Sequence, residues 1–305
     1  MQSSLKRFNS AELLTFTYIF ITTVYLLLSF GDNDAHKQIY SLLSYRIIFS
    51  IALFLITLIS EKYKNKITGF IRYVFPFSLI SYWYPETYSI GYNFGCDLPK
   101  SIISPNLDSF FSHLDTVIFG CSPSIEFSKT FPQAFISEIM YFGYFAYYLI
   151  FLFIFIYFYF VKPDMAEKAM FYCLCSFFIF YIIFILVPVA GPQFYYSFPD
   201  NQVPEGYFFS WLMRSIQDLG EKPTGAFPSS HVGLTIIAMI LLYKNARKYF
   251  YAILPVAITL VVATIYIKAH YLIDAVTAFI VTPFILLLSK QIFKLFKGNN
   301  SLRNS

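Results

Sequence analysis

Charge is what this chain has least of. Only 13% of its 305 residues are Asp, Glu, Lys or Arg, about half the share of an average soluble domain. That deficit excludes an ordinary water-soluble globule. Cysteine is scarce as well, at 4 residues, and no C-x-x-C or other metal-ligand spacing occurs. Neither a thiol redox motif nor a structural metal site is therefore expected. Cys173 and Cys175 lie in an apolar run, whereas Cys96 and Cys121 share one polar loop. A disulfide between the latter two is allowed by compartment if that loop is outside the cytoplasm. The sequence has no internal repeat, no low-complexity linker and no basic stripe of the kind that tracks nucleic acid.

What is abundant is apolar: 57% hydrophobic residues, with 38 Phe and 26 Tyr. The aromatic excess fits lipid-facing positions and an AT-rich coding sequence; by itself it implies no aromatic cage. A helix needs about 20 apolar residues to cross the hydrocarbon core. Such runs cover residues 12–30, 39–60, 67–84, 138–161, 166–188, 228–244, 249–267 and 272–292. The third is the least regular, because Pro76 and several polar residues interrupt it. The first is read as a span and not a signal peptide, since it lacks a small-residue cleavage site and further spans follow.

The positive charges set the orientation. Most of the 22 Lys and Arg cluster at the N-terminus, near 62–66, near 162–168, at 244–248 and in the tail from Lys290 onward. The opposite loops hold Lys37, Lys100, Lys129, Arg214, Lys222 and Lys268 across far more residues, and Arg46 and Arg72 lie within or beside spans. The positive-inside rule puts both termini in the cytoplasm, in agreement with an even number of spans. The long segments 85–137 and 189–227 then lie outside. Within them, Phe110–Phe119 and Tyr207–Leu219 are expected as helices lying on the membrane surface. The expected fold is an all-α integral membrane protein of about eight transmembrane helices. It forms one membrane domain, with two N-terminal helices in 1–66 and a core in 67–305.

Two of the 4 histidines carry the chemistry. His231 ends the segment Gly225-Ala226-Phe227-Pro228-Ser229-Ser230-His231, at the start of the sixth run. His270 lies in Lys268-Ala269-His270-Tyr271-Leu272-Ile273-Asp274, between the seventh and eighth. The link between runs six and seven is short, so they form an antiparallel hairpin. The chain enters from His231 and returns to His270, which brings both to one membrane depth. Asp274 follows His270 by one helical turn and shares its face. A carboxylate there can hold one ring nitrogen and leave the other free as nucleophile or base. Pro228, Ser229 and Ser230 open an apolar helix, where Pro suits the first turn and Ser caps it. The N–H groups of that turn can hold an anion. Lys268 sits near enough to add positive charge. Each element alone is a weak signal. Together they suit phosphoryl transfer, which needs mainly positioning and charge stabilisation, with no metal and no cofactor required.

Gly-Ala-Phe-Pro-Ser-Ser-His followed by Lys-x-His-Tyr-x-x-x-Asp resembles motifs two and three of the type-2 phosphatidic acid phosphatase superfamily. Within it, the chain is most similar to the inositol phosphorylceramide synthase branch, the fungal aureobasidin target. Leu114-Asp115-x-x-x-Phe119-Gly120-x-x-Pro123 and Pro188-Val189-Ala190-Gly191-Pro192-Gln193 also match that branch. The resemblance spans roughly residues 85–290 and implies a six-helix phosphatase-superfamily core. It further implies that His270 attacks phosphorus to give a phosphohistidine, that Asp274 orients it, and that His231 protonates the leaving oxygen. The chain departs from the pattern at the phosphate-binding arginines. The motif KxxxxxxRP is absent, Gln193 stands where the branch has Arg, and Ala263-Thr264 replace Ser-Arg. Lys268, Lys222 and Arg214 are the substitute cations. Substrate contacts are thus expected from Ser229, Ser230, Lys268, Gln193 and Lys222.

The activity that follows is a metal-independent lipid phosphotransferase, moving a phosphoryl or phospho-head group from a phospholipid to a lipid alcohol, such as a ceramide-like sphingolipid precursor. A lipid phosphate phosphatase acting on phosphatidate, phosphatidylglycerophosphate or a polyprenyl diphosphate would use the same residues. A non-catalytic lipid-binding or transport protein is the third reading. The expected location is a bacterial inner membrane, with the site on the outer face.

Overall fold

The computed structural model describes residues 7–28, 36–94 and 106–301. The described residues form helices and no strands. These are α1 (Ser10–Leu28), α2 (His36–Tyr63), α3 (Lys66–Ser78), α4 (Ile80–Phe94), α5 (Asn106–Phe119), α6 (Pro123–Thr130), α7 (Ala134–Ile156), α8 (Pro163–Leu186), α9 (Pro192–Tyr195), α10 (Phe208–Gly220), α11 (Ser230–Asn245), α12 (Arg247–Tyr266) and α13 (Leu272–Ser301). A π-helical turn, Tyr157–Val161, extends α7. Their starts follow local chemistry. Pro123 and Pro163 occupy the first turns of α6 and α8, where the missing N–H costs nothing. The Asn65 side chain accepts from Thr68 N at 2.8 Å to cap α3.

Among the described residues, six helices are long and apolar enough to cross a membrane: α1, α2, α7 with its π turn, α8, α12 and α13. This is an integral membrane protein. The sequence reading of eight spans differs at two places. The third run breaks at Leu79 into α3 and α4, and α4 continues through Pro85 to Phe94. The sixth, α11, has only 16 residues. At 1.5 Å per residue that is about 24 Å, short of a hydrocarbon core of about 30 Å. Its N-terminus is instead buried beneath the segments that build the site. The two expected surface segments are both helical, as α5 and α10.

α8 is the axis of the bundle. It packs against α1, α3, α4, α11 and α13, and the apolar side chains Phe171, Leu174, Phe180 and Phe184 along it are fully buried. The N-terminal hairpin α1–α2 is fastened to this core by two ion pairs. Arg46 on α2 places Nε and Nη2 on Glu86 of α4, at 3.2 and 2.7 Å, and its Nη1 reaches Ile19 O and the Thr22 and Thr23 hydroxyls. Arg72 on α3 meets Glu12 of α1 at 2.6 Å, and Glu12 also accepts from Thr57. Charge in a bilayer survives when paired and hydrogen-bonded, which accounts for the two arginines at the spans.

Candidate active site

The hairpin of α11 and α12 turns over within a residue or so at Ala246, as its short link requires. It returns to a tight turn at 267–271, where Lys268 adopts a left-handed φ of 65°. His270 Nε2 lies 3.5 Å from His231 Nδ1. The imidazole of His231 is held between Tyr144 and Tyr147, each with ring centroid 4.6 Å away. His270 is buried at 3% exposure.

The partner of His270 Nδ1 decides which nitrogen is free. Nδ1 lies 2.7 Å from the carbonyl oxygen of Ala226 and 3.7 Å from Asp274 Oδ2. A carbonyl can only accept, so Nδ1 carries the proton and Nε2 presents its lone pair toward His231. The expectation that Asp274 takes this nitrogen is corrected by that geometry. Asp274 Oδ2 instead accepts from Tyr271 N at 2.8 Å, closing the first turn of α13, while its own carbonyl accepts from Ser229 N at 3.2 Å. The carboxylate fixes the turn that carries His270, and the carbonyl fixes the ring. Burial pulls the His270 pKa down to about 4, with the Ala226 carbonyl and Glu221 acting the other way. The ring is neutral at pH 7.

Two aspartates on one face of α5 hold the surrounding loops. Asp115 accepts from Leu272 N and Ile273 N, both at 2.9 Å, and so caps α13. Two turns earlier, Asp108 accepts from Ala190 N at 2.9 Å, Gly191 N at 2.8 Å and the Tyr271 hydroxyl at 3.1 Å. Asp115 belongs to a motif noted from sequence, but its role as a cap was not legible there. Asp108 was missed altogether. The spacing of two carboxylates by seven residues on an amphipathic helix was the available signal. Gly191 is required by this packing: its φ is 98°, and a Cβ would lie 2.7 Å from Ala269 O. The turn is cross-tied further by Gln193 N to Lys268 O at 2.9 Å and Ala226 N to Val189 O at 3.0 Å.

The histidines open onto a cavity of about 690 Å³ that runs down between α3, α4, α7 and α8, walled by Phe77, Phe151, Phe155, Phe177 and Tyr181. Its mouth carries Gln193, Gln217, Glu221, Ser230, His231 and His270. Of the expected substrate contacts, Ser230 and Gln193 reach this cavity. Ser229 is buried behind it and caps α11 by accepting from Val232 N at 3.3 Å. Pro228 stands just ahead of that cap, not inside the first turn. The three expected cations do not line the cavity. Lys268 Nζ donates to Asp200 O, and burial lowers its pKa to about 8. Lys222 is exposed. Arg214 donates to Val203 O at 2.8 Å and lies over the Tyr141 ring. Among the described residues the lining holds no Lys or Arg. Cys121 is exposed and Cys173 and Cys175 are buried, all as free thiols; Cys96, and hence the Cys96–Cys121 pairing, lies outside the described residues. Among the described residues no group of three His, Cys, Asp or Glu side chains could hold a metal ion.

Comparison with known proteins agrees on one group. The chain is 32% identical over 124 residues to a PA-phosphatase related-family protein of Dictyostelium discoideum, an alignment covering 39% of this chain and 22% of that protein. The chain thus spans about a fifth of the length of that curated relative. No solved structure matches it. The model of the PAP2 superfamily matches residues 111–288, more than half of the chain and the whole of the site from Asp115 to Asp274; the chain belongs to the PAP2 superfamily.

Proposed function

We propose that the protein is a membrane lipid phosphotransferase working through a phosphohistidine, in the manner of the inositol phosphorylceramide synthase branch. The observation that carries this reading is the free Nε2 of His270, aimed at His231 at the mouth of an apolar cavity. Nε2 attacks phosphorus, and the bond from phosphorus to the lipid oxygen breaks. His231, which burial keeps neutral in the free site, takes up a proton as the phosphoanion binds, gives it to that oxygen, and the diglyceride-like alcohol departs. A second alcohol then attacks the phosphohistidine, returns its proton to His231 and leaves with the phospho-head group. Asp274 supports this as a positioning residue. No step calls for a metal.

Transfer is favoured over hydrolysis by the apolar lining of the mouth. Met213, Ile216 and Leu219 of α10 line it beside Gln193 and Gln217, which gives an acceptor lipid chain an apolar wall. Hydrolysis has its own support in the name of the Dictyostelium relative. The charge distribution supports cytoplasmic termini and a site at the outer face, as in a bacterial inner membrane.

Purified protein incubated with head-group-labelled phospholipid, with and without a ceramide-like alcohol, separates the readings. Product that forms only with the alcohol is expected. Release of the phospho-head group into water at the same rate without alcohol would make it a phosphatase. His270→Ala and His231→Ala should each abolish turnover, and trapped phosphohistidine should vanish in His270→Ala. Full activity in either variant would refute the mechanism, and no phosphohistidine in the native chain would point to lipid binding alone.

A further inference from the structure

The mouth of the cavity has the wrong charge for a bare phosphate. Its ionisable side chains are the two histidines and one carboxylate, Glu221. Burial lowers the His270 pKa to about 4 and that of His231 to about 3, so both rings are neutral in the free site at pH 7 and, among the described residues, no Lys or Arg of the lining faces an arriving dianion. Glu221 follows α10 and shares the cavity lining with the amides of Gln193 and Gln217 and with Tyr84, Tyr144, Tyr148 and His270. Tyr84 is locked beside it, donating to Thr224 O at 2.9 Å and Lys222 O at 3.4 Å.

A half-buried carboxylate with no ion-pair partner among the described residues is costly, and desolvation accordingly pushes the Glu221 carboxyl upward. A cation brought by the ligand would relieve that cost. Tyrosine rings beside a carboxylate are the chemistry that recognises alkylammonium groups, through the negative face of the ring. The tyrosines that composition assigned to lipid contact here gather around one acid.

We propose that Glu221, with Tyr84, Tyr144 and Tyr148, binds the positively charged end of a zwitterionic phospholipid head group, so that the substrate is an ammonium-bearing phosphodiester and not a phosphate monoester or diphosphate. The proposal rests on the phosphotransferase reading for the chemistry, but its binding part stands apart from it. The ammonium offsets the charge of the phosphodiester in a cavity without Lys or Arg, and it sets the phosphorus beside His270 Nε2. The lack of Lys and Arg in the lining and the acid at its mouth then fit one substrate charge.

The test uses full-length His270→Ala protein in detergent micelles, which removes turnover from the measurement. Fluorescent-tailed phosphatidylcholine, phosphatidylethanolamine, phosphatidylglycerol and phosphatidate are compared by equilibrium binding. The expected result is about tenfold tighter binding of the two zwitterionic lipids than of phosphatidate, roughly 1.4 kcal/mol. Glu221→Gln should erase that preference, and Glu221→Lys should invert it. Asp218→Asn, which removes an exposed acid of α10 outside the lining, should keep it, as a control on charge and folding. Equal binding of all four lipids would overturn the proposal. So would a preference that survives Glu221→Gln, because Gln mimics a protonated acid that donates to phosphate. If the preference holds and the native chain turns over none of the lipids, the phosphotransferase reading fails and the binding site remains.

Discussion

The protonation state of His270 is open to a direct kinetic test. Burial disfavours the imidazolium and lowers the ring's pKa to about 4, against about 6.5 for a free imidazole. In the proposed mechanism the neutral ring is the nucleophile, so activity should persist as pH falls and be lost only through about 4. At pH 5.5 a ring of pKa 4 is about 97% neutral, whereas one of pKa 6.5 is about 9% neutral. The ratio of kcat/KM at pH 5.5 to that at pH 7.5 should therefore be close to one, and about tenfold lower if the ring were unperturbed. Glu221 faces the same ring and also titrates upward of its ordinary range, so the profile is taken in Glu221→Gln as well. The acid limb common to both proteins belongs to the imidazole. The same shift makes the fold acid-sensitive. Protons bind the unfolded ring from about 6.5 and the folded one only below about 4, so about 3 kcal/mol of stability is lost between those values. A common acid limb centred near 6.5 would refute the burial argument and the neutral-nucleophile assignment with it.

Three further outcomes follow from contacts around the site. Asp108→Ala removes the acceptor of Ala190 N, Gly191 N and the Tyr271 hydroxyl; leaving those donors buried should cost about 3 kcal/mol, read as a lowered Tm in detergent. Gly225→Ala puts a Cβ at a φ of 81° and 2.8 Å from the Tyr84 ring; it should move the Ala226 carbonyl and lower kcat at least tenfold, and an unchanged kcat would show that the carbonyl does not hold the ring. Arg46→Met strands Glu86 in the bundle and should cost about 3–5 kcal/mol, whereas Arg46→Met with Glu86→Leu should recover most of it, as judged by thermal unfolding of the two proteins.

Hydropathy made the bundle legible and made little else so. A long apolar run has one solution in a bilayer, and the helices α1, α2, α7, α8, α12 and α13 lie close to where their runs predict. Breaks such as Leu79 depend on packing of Trp83 and Phe77 against the core, which leaves no local mark. The two histidines were legible because hairpin topology forces them together. The partner of His270 was not. An i,i+4 carboxylate is a pattern that sequence displays, while a backbone carbonyl 44 residues away has no side-chain signature. Lys268 misled for a related reason: it is adjacent in sequence, but its left-handed φ of 65° turns it to Asp200. Glu221 was passed over because only tertiary structure carries the end of α10 to the cavity mouth.

The segment from Gly225 to His231 is explained position by position once that carbonyl is recognised. Gly225 supplies the left-handed turn, and Tyr84 packs where its side chain would be. Ala226 offers its carbonyl to Nδ1 and its N–H to Val189 O, and its small side chain fits under Gly191. Ser229 caps α11, Ser230 faces the cavity and His231 meets Nε2. A carbonyl has an advantage over a carboxylate in this role. It cannot accept the proton from Nδ1, so the tautomer is fixed whatever charge develops on the ring during attack. A carboxylate would stabilise that developing charge more strongly, and in the proposed mechanism Asp274, 3.7 Å from Nδ1, does so through space while the Ala226 carbonyl holds the orientation. The removal of Asp274 should then lower kcat while leaving the tautomer, and hence the acid limb of the pH profile, where it is.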